Sequence, residues 1–258
     1  MDIKMIVCDL DATLLNSEKE VSQRNLEVLE KCRARGIKIG IATARSECSA
    51  KRITDIVRPD VLITSGGAVA RCDGQVVYSA LLDAETTNGI VKRLLAESGV
   101  GVVTVRADEG YLISQEVITD DPAWRDYYES STHIDFTQKT FEPAQKIVPQ
   151  ITADLAKAIA ADFPNAALTI YTGYEWAQFS CKNATKWRAV AAVAEHLGIS
   201  TDQVAAFGDD HNDTQMLANC GFGVAMDNAI PEIKAVAKYF TATNDEDGVA
   251  VWLAENVL

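Results

Sequence analysis

The chain has cysteines but no cysteine pairs. Cys8, Cys32, Cys48, Cys72, Cys181 and Cys220 are scattered over 258 residues with no CxxC spacing, and there are only three histidines, His133, His196 and His211. A chain this long can bury a sizeable core without disulfide staples, so most of these thiols are expected as small buried hydrophobes in a reducing cytoplasm. No segment approaches the ~18 apolar residues of a membrane span, and Met1-Asp2-Ile3-Lys4 runs straight into a strand, so no signal peptide is expected. Positive charge is scarce: 24 Lys and Arg against 37 Asp and Glu give a net charge of −13. That balance repels nucleic acid and anionic membrane surfaces, so the expected partners are small molecules. GxxxxGK[ST], GxSxG and HExxH are all missing, as are internal repeats and low-complexity tracts.

Short acidic segments remain, each behind an apolar run. Ile6-Val7-Cys8 leads into Asp9-Leu10-Asp11-Ala12-Thr13, and Val204-Ala205-Ala206-Phe207 leads into Gly208-Asp209-Asp210-His211-Asn212-Asp213. Both place carboxylates at the downstream end of a buried parallel strand, where open α/β sheets hold their ligands. Carboxylates gathered in this way need a cation to stay ionised together, and an oxygen-only donor set suits Mg²⁺. Calcium loops do not fit: position six, which an EF-hand reserves for Gly, is Thr214 counting from Asp209 and Leu14 counting from Asp9.

Strand and helix patterns alternate through residue 64, which predicts a parallel sheet with helices on both faces. The strands are 3–8, 37–42 and 60–64, and the helices 25–35 and 50–57. The runs 69–72 and 76–78, joined across Asp73-Gly74, predict a hairpin that interrupts the repeat. Helices at 84–97 and 152–162, with strands at 100–106, 110–114, 145–150, 166–171 and 175–180, predict a separate, smaller α/β domain. Alternation then resumes with helix 185–197, strand 203–207, helix 212–219, strand 222–225, a short helix from Pro231, strand 238–241 and helix 247–255. The expected architecture is a Rossmann-like core, 1–82 and 183–258, with an α/β domain inserted at 83–182.

Asp9 and Asp11, Thr43, Lys186 and the 208–213 loop, in that order, resemble the haloacid dehalogenase superfamily. Gly223-Val224-Ala225-Met226-Asp227-Asn228-Ala229 and Asp245-Glu246-Asp247-Gly248-Val249-Ala250 resemble its Cof-type branch with an inserted cap. The resemblance spans nearly the whole chain and is weakest between about 85 and 180. It implies a Mg²⁺-dependent phosphatase acting on a small phosphorylated metabolite, a sugar phosphate or a phosphorylated cofactor, through an aspartyl-phosphate. A phosphomutase on the same scaffold, or a protein that only binds a metabolite, is the alternative.

Under that resemblance Asp9 is the nucleophile and Asp11 the acid that protonates the leaving oxygen and then activates water. Thr43 donates to a phosphoryl oxygen, and Lys186, rather than Lys182, neutralises Asp9 and the transferring group. Asp9, the Asp11 carbonyl and Asp209 hold the metal. Asn212 meets phosphate or the outer shell of the metal, Asp213 orients Lys186, and Thr13 is a support or a plain structural hydroxyl. Arg45 fits a phosphate clamp as well as an exposed helix start. Three positions depart from the branch pattern. Ala12 and Ala44 replace glycines, and Ser65 stands where Asn usually precedes Gly66, next to substrate. The inserted domain is expected to choose the substrate and to close on hinges near 82 and 182, although Trp124, Tyr174 and Trp176 suit its core as well as a substrate lining.

Overall fold

A computed structural model of the chain describes residues 1–107, 110–115, 131–171 and 175–258. Trp124 and Tyr174 lie outside the described residues. The chain divides into two compact units, one comprising Met1–Ser79 with Thr185–Leu258 and the other Ala80–Ala184. The second unit begins at residue 80 because Leu82 exchanges backbone hydrogen bonds with Ala144 inside it.

In the first unit, strands β1 (Met5–Cys8), β2 (Lys38–Ala42), β3 (Val61–Thr64), β4 (Val69–Cys72) and β5 (Gln75–Ser79) share a sheet with β12 (Val204–Gly208), β13 (Phe222–Ala225) and β14 (Tyr239–Phe240). The order is β14-β13-β12-β1-β2-β3-β4-β5, parallel as far as β3 and antiparallel beyond it. All residues of β1 and β12 are buried, as expected of parallel strands covered on both faces. From β1 the chain goes first to β2 on one side and much later to β12 on the other. The crevice of this topological switch lies at the ends of these three adjacent strands.

Helices α1 (Gln23–Ala34), α2 (Glu47–Val57), α5 (Lys186–Leu197), α6 (Thr214–Asn219), α7 (Pro231–Val236) and α8 (Gly248–Asn256) complete this unit. Helices α3 (Ala84–Leu95) and α4 (Ala153–Asp162) belong to the other. Helix α1 starts two residues before the apolar pattern does, because Ser22 caps it by accepting from the Asn25 amide at 3.0 Å. The predicted helix 212–219 is a tight turn, His211–Asp213, followed by α6.

The second unit's sheet has the order β10-β11-β9-β6-β7-β8, with β6 Val103–Ala107, β7 Gly110–Ile113, β8 Ser131–His133, β9 Lys146–Pro149, β10 Ala166–Ile170 and β11 Ala177–Cys181. Its core joins Val103, Val105, Leu112, Ile147 and Phe179 on the strands to Ile90, Val91 and Leu94 of α3 and Ala156 and Ile159 of α4. Strand β8 has no counterpart in the sequence reading: three residues, Ser-Thr-His, carry no apolar alternation. No helix among the described residues is long and apolar enough to cross a membrane.

Candidate active site

The ends of β1, β2 and β12 deliver Asp9, Thr43 and Asp209 side by side, and α5 brings Lys186 to them. The Lys186 Nζ donates to Asp9 Oδ1 at 2.7 Å and to Asp213 Oδ1 at 2.7 Å, with the lysine side chain wholly buried. The rival Lys182 is exposed and belongs to the other unit. Two glycines make room for this arrangement. A Cβ on Gly67, where φ is +101°, would fall 2.2 Å from the Thr185 carbonyl carbon that opens α5, and one on Gly208 would fall 2.5 Å from Asp213 Cβ.

Asp213 spends both oxygens inside the protein. Oδ1 takes Lys186, and Oδ2 accepts from the Asp209 and Asp210 amides at 3.1 and 3.3 Å. Asp9 and Asp209 each keep an oxygen free of side-chain partners, because Thr13 Oγ1 donates to Asp209 Oδ1 at 2.8 Å and Lys186 takes only Oδ1 of Asp9. Carboxylate oxygens of Asp9, Asp209 and Asp213 lie within 4.8 Å of one another. The uncommitted oxygens of Asp9 and Asp209 fit a hard divalent cation, whereas the saturated Asp213 fits the role of a fixed anchor for Lys186.

Asp11 sits differently from the acid expected at this position. Its carboxylate is clasped by Arg45, Nε to Oδ2 at 2.8 Å and Nη2 to Oδ1 at 2.7 Å, and approached by Lys19 at 3.3 Å. Burial alone would raise this carboxyl, but the Arg45 fork and Lys19 outweigh it and hold it below the usual range. Arg45 is therefore occupied by Asp11 rather than open to a phosphate. Thr43 is buried, and its hydroxyl accepts from the Arg45 amide at 3.1 Å. Ser65 and Gly66 turn beside it in left-handed backbone, with the Ser65 amide donating to Arg45 O and the Gly66 amide to Thr43 O. Asn212 is exposed on the turn His211–Asp213, and no side-chain hydrogen bond among the described residues ties it to the carboxylates.

Two side chains without a role in the sequence reading hold the loop after β1. Asn228 Nδ2 donates to Ala12 O at 2.7 Å, its Oδ1 accepts from the Asn244 amide at 3.0 Å, and Asn244 Nδ2 donates to Leu15 O at 3.0 Å. Ser17 donates from both its amide and its hydroxyl to the Asp245 carboxylate. The segments around 228 and 245 thus clamp the Asp9–Leu15 loop, and the signal for them was the resemblance at those segments. The clamp also holds Ala12 at φ 55°, a left-handed conformation that costs an L-residue ~1–2 kcal/mol. A glycine at this position would avoid that cost.

Burial pushes Asp9 up to about 7, against the Lys186 ammonium and with the help of Asp213. Burial also raises Asp209 to about 6, against the hydrogen bond from Thr13 and with Asp213 and Asp210 adding to the rise. Both folded values exceed the unfolded value of 3.8, so these groups destabilise the metal-free fold fully above pH about 7 and progressively less as pH falls toward 3.8. A divalent cation must displace their protons. The expected result is a Mg²⁺-induced rise in Tm that is large at pH about 8 and fades by pH about 5.5, read from thermal melts with and without the ion. A rise independent of pH would place the ion elsewhere.

The sequence profile of the haloacid dehalogenase-like hydrolases matches residues 6–253. A Haemophilus influenzae relative is 30% identical over 99% of this chain and 98% of its own length. A Bacillus subtilis relative, named 5-amino-6-(5-phospho-D-ribitylamino)uracil phosphatase, is 27% identical over 97% of this chain and 94% of its own. The chain also matches an Arabidopsis thaliana chloroplast endoribonuclease at 28% identity, spanning only 45% of that protein's length. Among solved structures, a haloacid dehalogenase subclass IIB sugar phosphatase superposes with a TM-score of 0.82 at 25% identity, covering 98% of each chain. A Thermotoga maritima structure shares the fold at TM-score 0.87 and 20% identity, over 99% of this chain and 98% of its own. With a profile that runs through both units and both carboxylate loops, the chain belongs to the haloacid dehalogenase-like hydrolases.

Proposed function

We propose that this hydrolase is a Mg²⁺-dependent phosphatase that releases phosphate from a small phosphorylated metabolite through a phosphorylated Asp9. The observation that carries the reading is the buried Lys186 bridging Asp9 and Asp213 beside Asp209, at the ends of adjacent strands. Phosphatase names among full-length relatives, one acting on a phosphorylated ribitylaminouracil, and the sugar-phosphatase likeness at 25% identity support the substrate class. Six unpaired cysteines, four of them buried, suit a reducing cytoplasm.

In this reading one carboxylate oxygen of Asp9 attacks phosphorus while the other is left to the metal, and the leaving oxygen departs in line, dividing one hard hydrolysis into two easier steps. Asp9, Asp209 and the Asp11 carbonyl would hold Mg²⁺, which supplies Lewis-acid charge stabilisation when bound. Lys186 neutralises the charge on Asp9 and on the transferring group, held on line by Asp213. Thr43 has a hydroxyl proton to donate to a phosphoryl oxygen, because its recorded bond to the Arg45 amide uses it as an acceptor. The Asp11 carboxylate is ionised in its clasp with Arg45. Before it can protonate the leaving oxygen it must gain a proton, which a phosphate competing for the Arg45 fork would favour. It then takes the proton of the attacking water. The second unit is the proposed selector of substrate, because the residues around Asp9 engage only phosphate and metal.

The test is phosphate release from a panel of sugar phosphates and phosphorylated cofactors, with Mg²⁺ present and absent. The Asp11→Asn variant should keep Mg²⁺ binding while turnover of alkyl esters falls ~10²–10⁴-fold, the range of a positioned acid and base. Asp209→Ala should instead be partly rescued by excess Mg²⁺. Alkyl ester hydrolysis by Asp11→Asn at the unmutated rate would remove Asp11 from the mechanism. An isomerised ester without free phosphate would make the protein a phosphomutase.

A further inference from the structure

Strands β7, β6, β9 and β11 are neighbours, and one row of paired positions crosses all four. Tyr111 stands opposite Arg106, Arg106 opposite Lys146, and Lys146 opposite Ser180. Side chains alternate across a sheet, and the residues flanking this row, Val105, Leu112, Ile147 and Phe179, all belong to the core under α3 and α4. The row therefore occupies the other face of this sheet. That face is cationic where it is most enclosed: Arg106 is 7% exposed, Lys146 8% and Ser180 7%, with Thr104, two residues before Arg106 on the same face, fully buried.

Like charges directly opposite each other on paired strands destabilise a sheet, and a buried cation is costly unless its donors are used. Here they are not all used. Arg106 Nε and Thr104 Oγ1 are buried polar atoms with no hydrogen-bond partner. The Arg106 guanidinium lies over the Tyr111 ring at 5.1 Å, but a ring face recovers only part of what a desolvated guanidinium loses and leaves the edge N–H unsatisfied. Burial and the proximity of Arg106 push the Lys146 ammonium down to about 8, as expected of two cations held close together. A guanidinium edge and a hydroxyl on the same face of one strand, with an ammonium across the strand pair, form a donor set for an oxyanion.

We infer that the second unit carries its own oxyanion site, built on Arg106, Lys146 and Thr104, which binds a carboxylate or a phosphate. The anion comes either free from solution or as a second acidic group on the metabolite that the protein hydrolyses. The binding claim is independent of the phosphatase reading; the link to substrate rests on it.

Sulfate titrated into the ¹⁵N-labelled full chain without Mg²⁺ tests the binding claim. The Arg106 Nε–H resonance, identified by its loss in Arg106→Gln, should shift saturably at millimolar sulfate. Sulfate should raise the Tm of the unmutated protein more than that of Arg106→Gln. The variant removes a buried charge and keeps the aliphatic stem as far as Cδ with a polar end, so it is expected to fold, and Thr104→Val, which keeps the shape of the side chain, should weaken binding in the same direction. Kinetics then separate the sources. If the anion is part of the substrate, Arg106→Gln raises KM about tenfold or more for an ester with a remote carboxylate or second phosphate, the scale of one lost charged hydrogen bond. It leaves kcat, and the hydrolysis of an aryl phosphate with no second acidic group, unchanged. If the anion is free, sulfate binding is lost while both esters behave as before. An Nε–H resonance unmoved by sulfate, with equal stabilisation of the variant and unmutated proteins, would overturn the site even if aryl phosphate hydrolysis is normal.

Discussion

Asp9→Asn should abolish phosphate release while leaving the fold intact. Asparagine matches aspartate in shape and can still accept from Lys186, so the packing at the end of β1 survives. Its amide nitrogen, however, is neither a nucleophile toward phosphorus nor an anionic metal ligand. The loss should be on the order of 10⁴-fold or more, the scale on which removing a covalent nucleophile acts. Burial already pushes the Asp9 carboxyl upward, so the neutral variant costs the folded state little and should raise the stability of the metal-free protein above pH 7. Steady-state phosphate release and urea unfolding check the two halves separately. Residual turnover within tenfold of the unmutated rate would assign the chemistry to another group.

Lys186→Met should be the more damaging change to the molecule. Methionine fills most of the volume but leaves the buried carboxylates of Asp9 and Asp213 without the ammonium between them. Removing one partner of a buried ion pair costs ~3–5 kcal/mol, because the remaining charge is stranded. Two features moderate the loss: Asp213 keeps its two backbone donors, and Asp9 can take up a proton. The lost stability should therefore return in part as pH falls toward 5.5, since the folded variant then binds protons that the unfolded chain does not. Mg²⁺ should restore part of it at pH about 8 by supplying positive charge. Turnover should remain low under both conditions. A loss below about 1 kcal/mol, or one indifferent to both pH and Mg²⁺, would show that the Lys186 bridge does not organise the site.

Much of the fold was legible because its signals are local. Buried runs such as 204–207, the Asp73-Gly74 turn between two short apolar stretches, and amphipathic repeats such as 84–97 each declare an element within a dozen residues. Strand β8 was not legible, since Ser131-Thr132-His133 is recruited by pairing with β7 and has no apolar alternation of its own. Element starts drifted where polar side chains decide them, as with the Ser22 cap. The gathering of the carboxylates could be anticipated for the same reason as the strands, since Asp9 and Asp209 follow apolar runs, whereas the parts of Thr43, Lys186 and Asp213 were legible only through the family resemblance. What escaped was side-chain choice at long range. Nothing near residue 45 says that its guanidinium will clasp a carboxylate 34 positions earlier, and nothing near 228 or 244 says that two asparagines will hold the carbonyls of Ala12 and Leu15. Such bonds depend on three-dimensional neighbours that no local period encodes.

The central claim is that phosphate passes through a covalent bond to Asp9. The measurement that tests it most directly is an acid quench during turnover, followed by borohydride reduction and peptide sequencing, because an aspartyl-phosphate is reduced to homoserine whereas a free carboxylate is not. The account predicts homoserine at position 9, absent without substrate and absent in Asp9→Asn. Homoserine at another aspartate, or Asp9→Asn releasing phosphate at the unmutated rate, would contradict it.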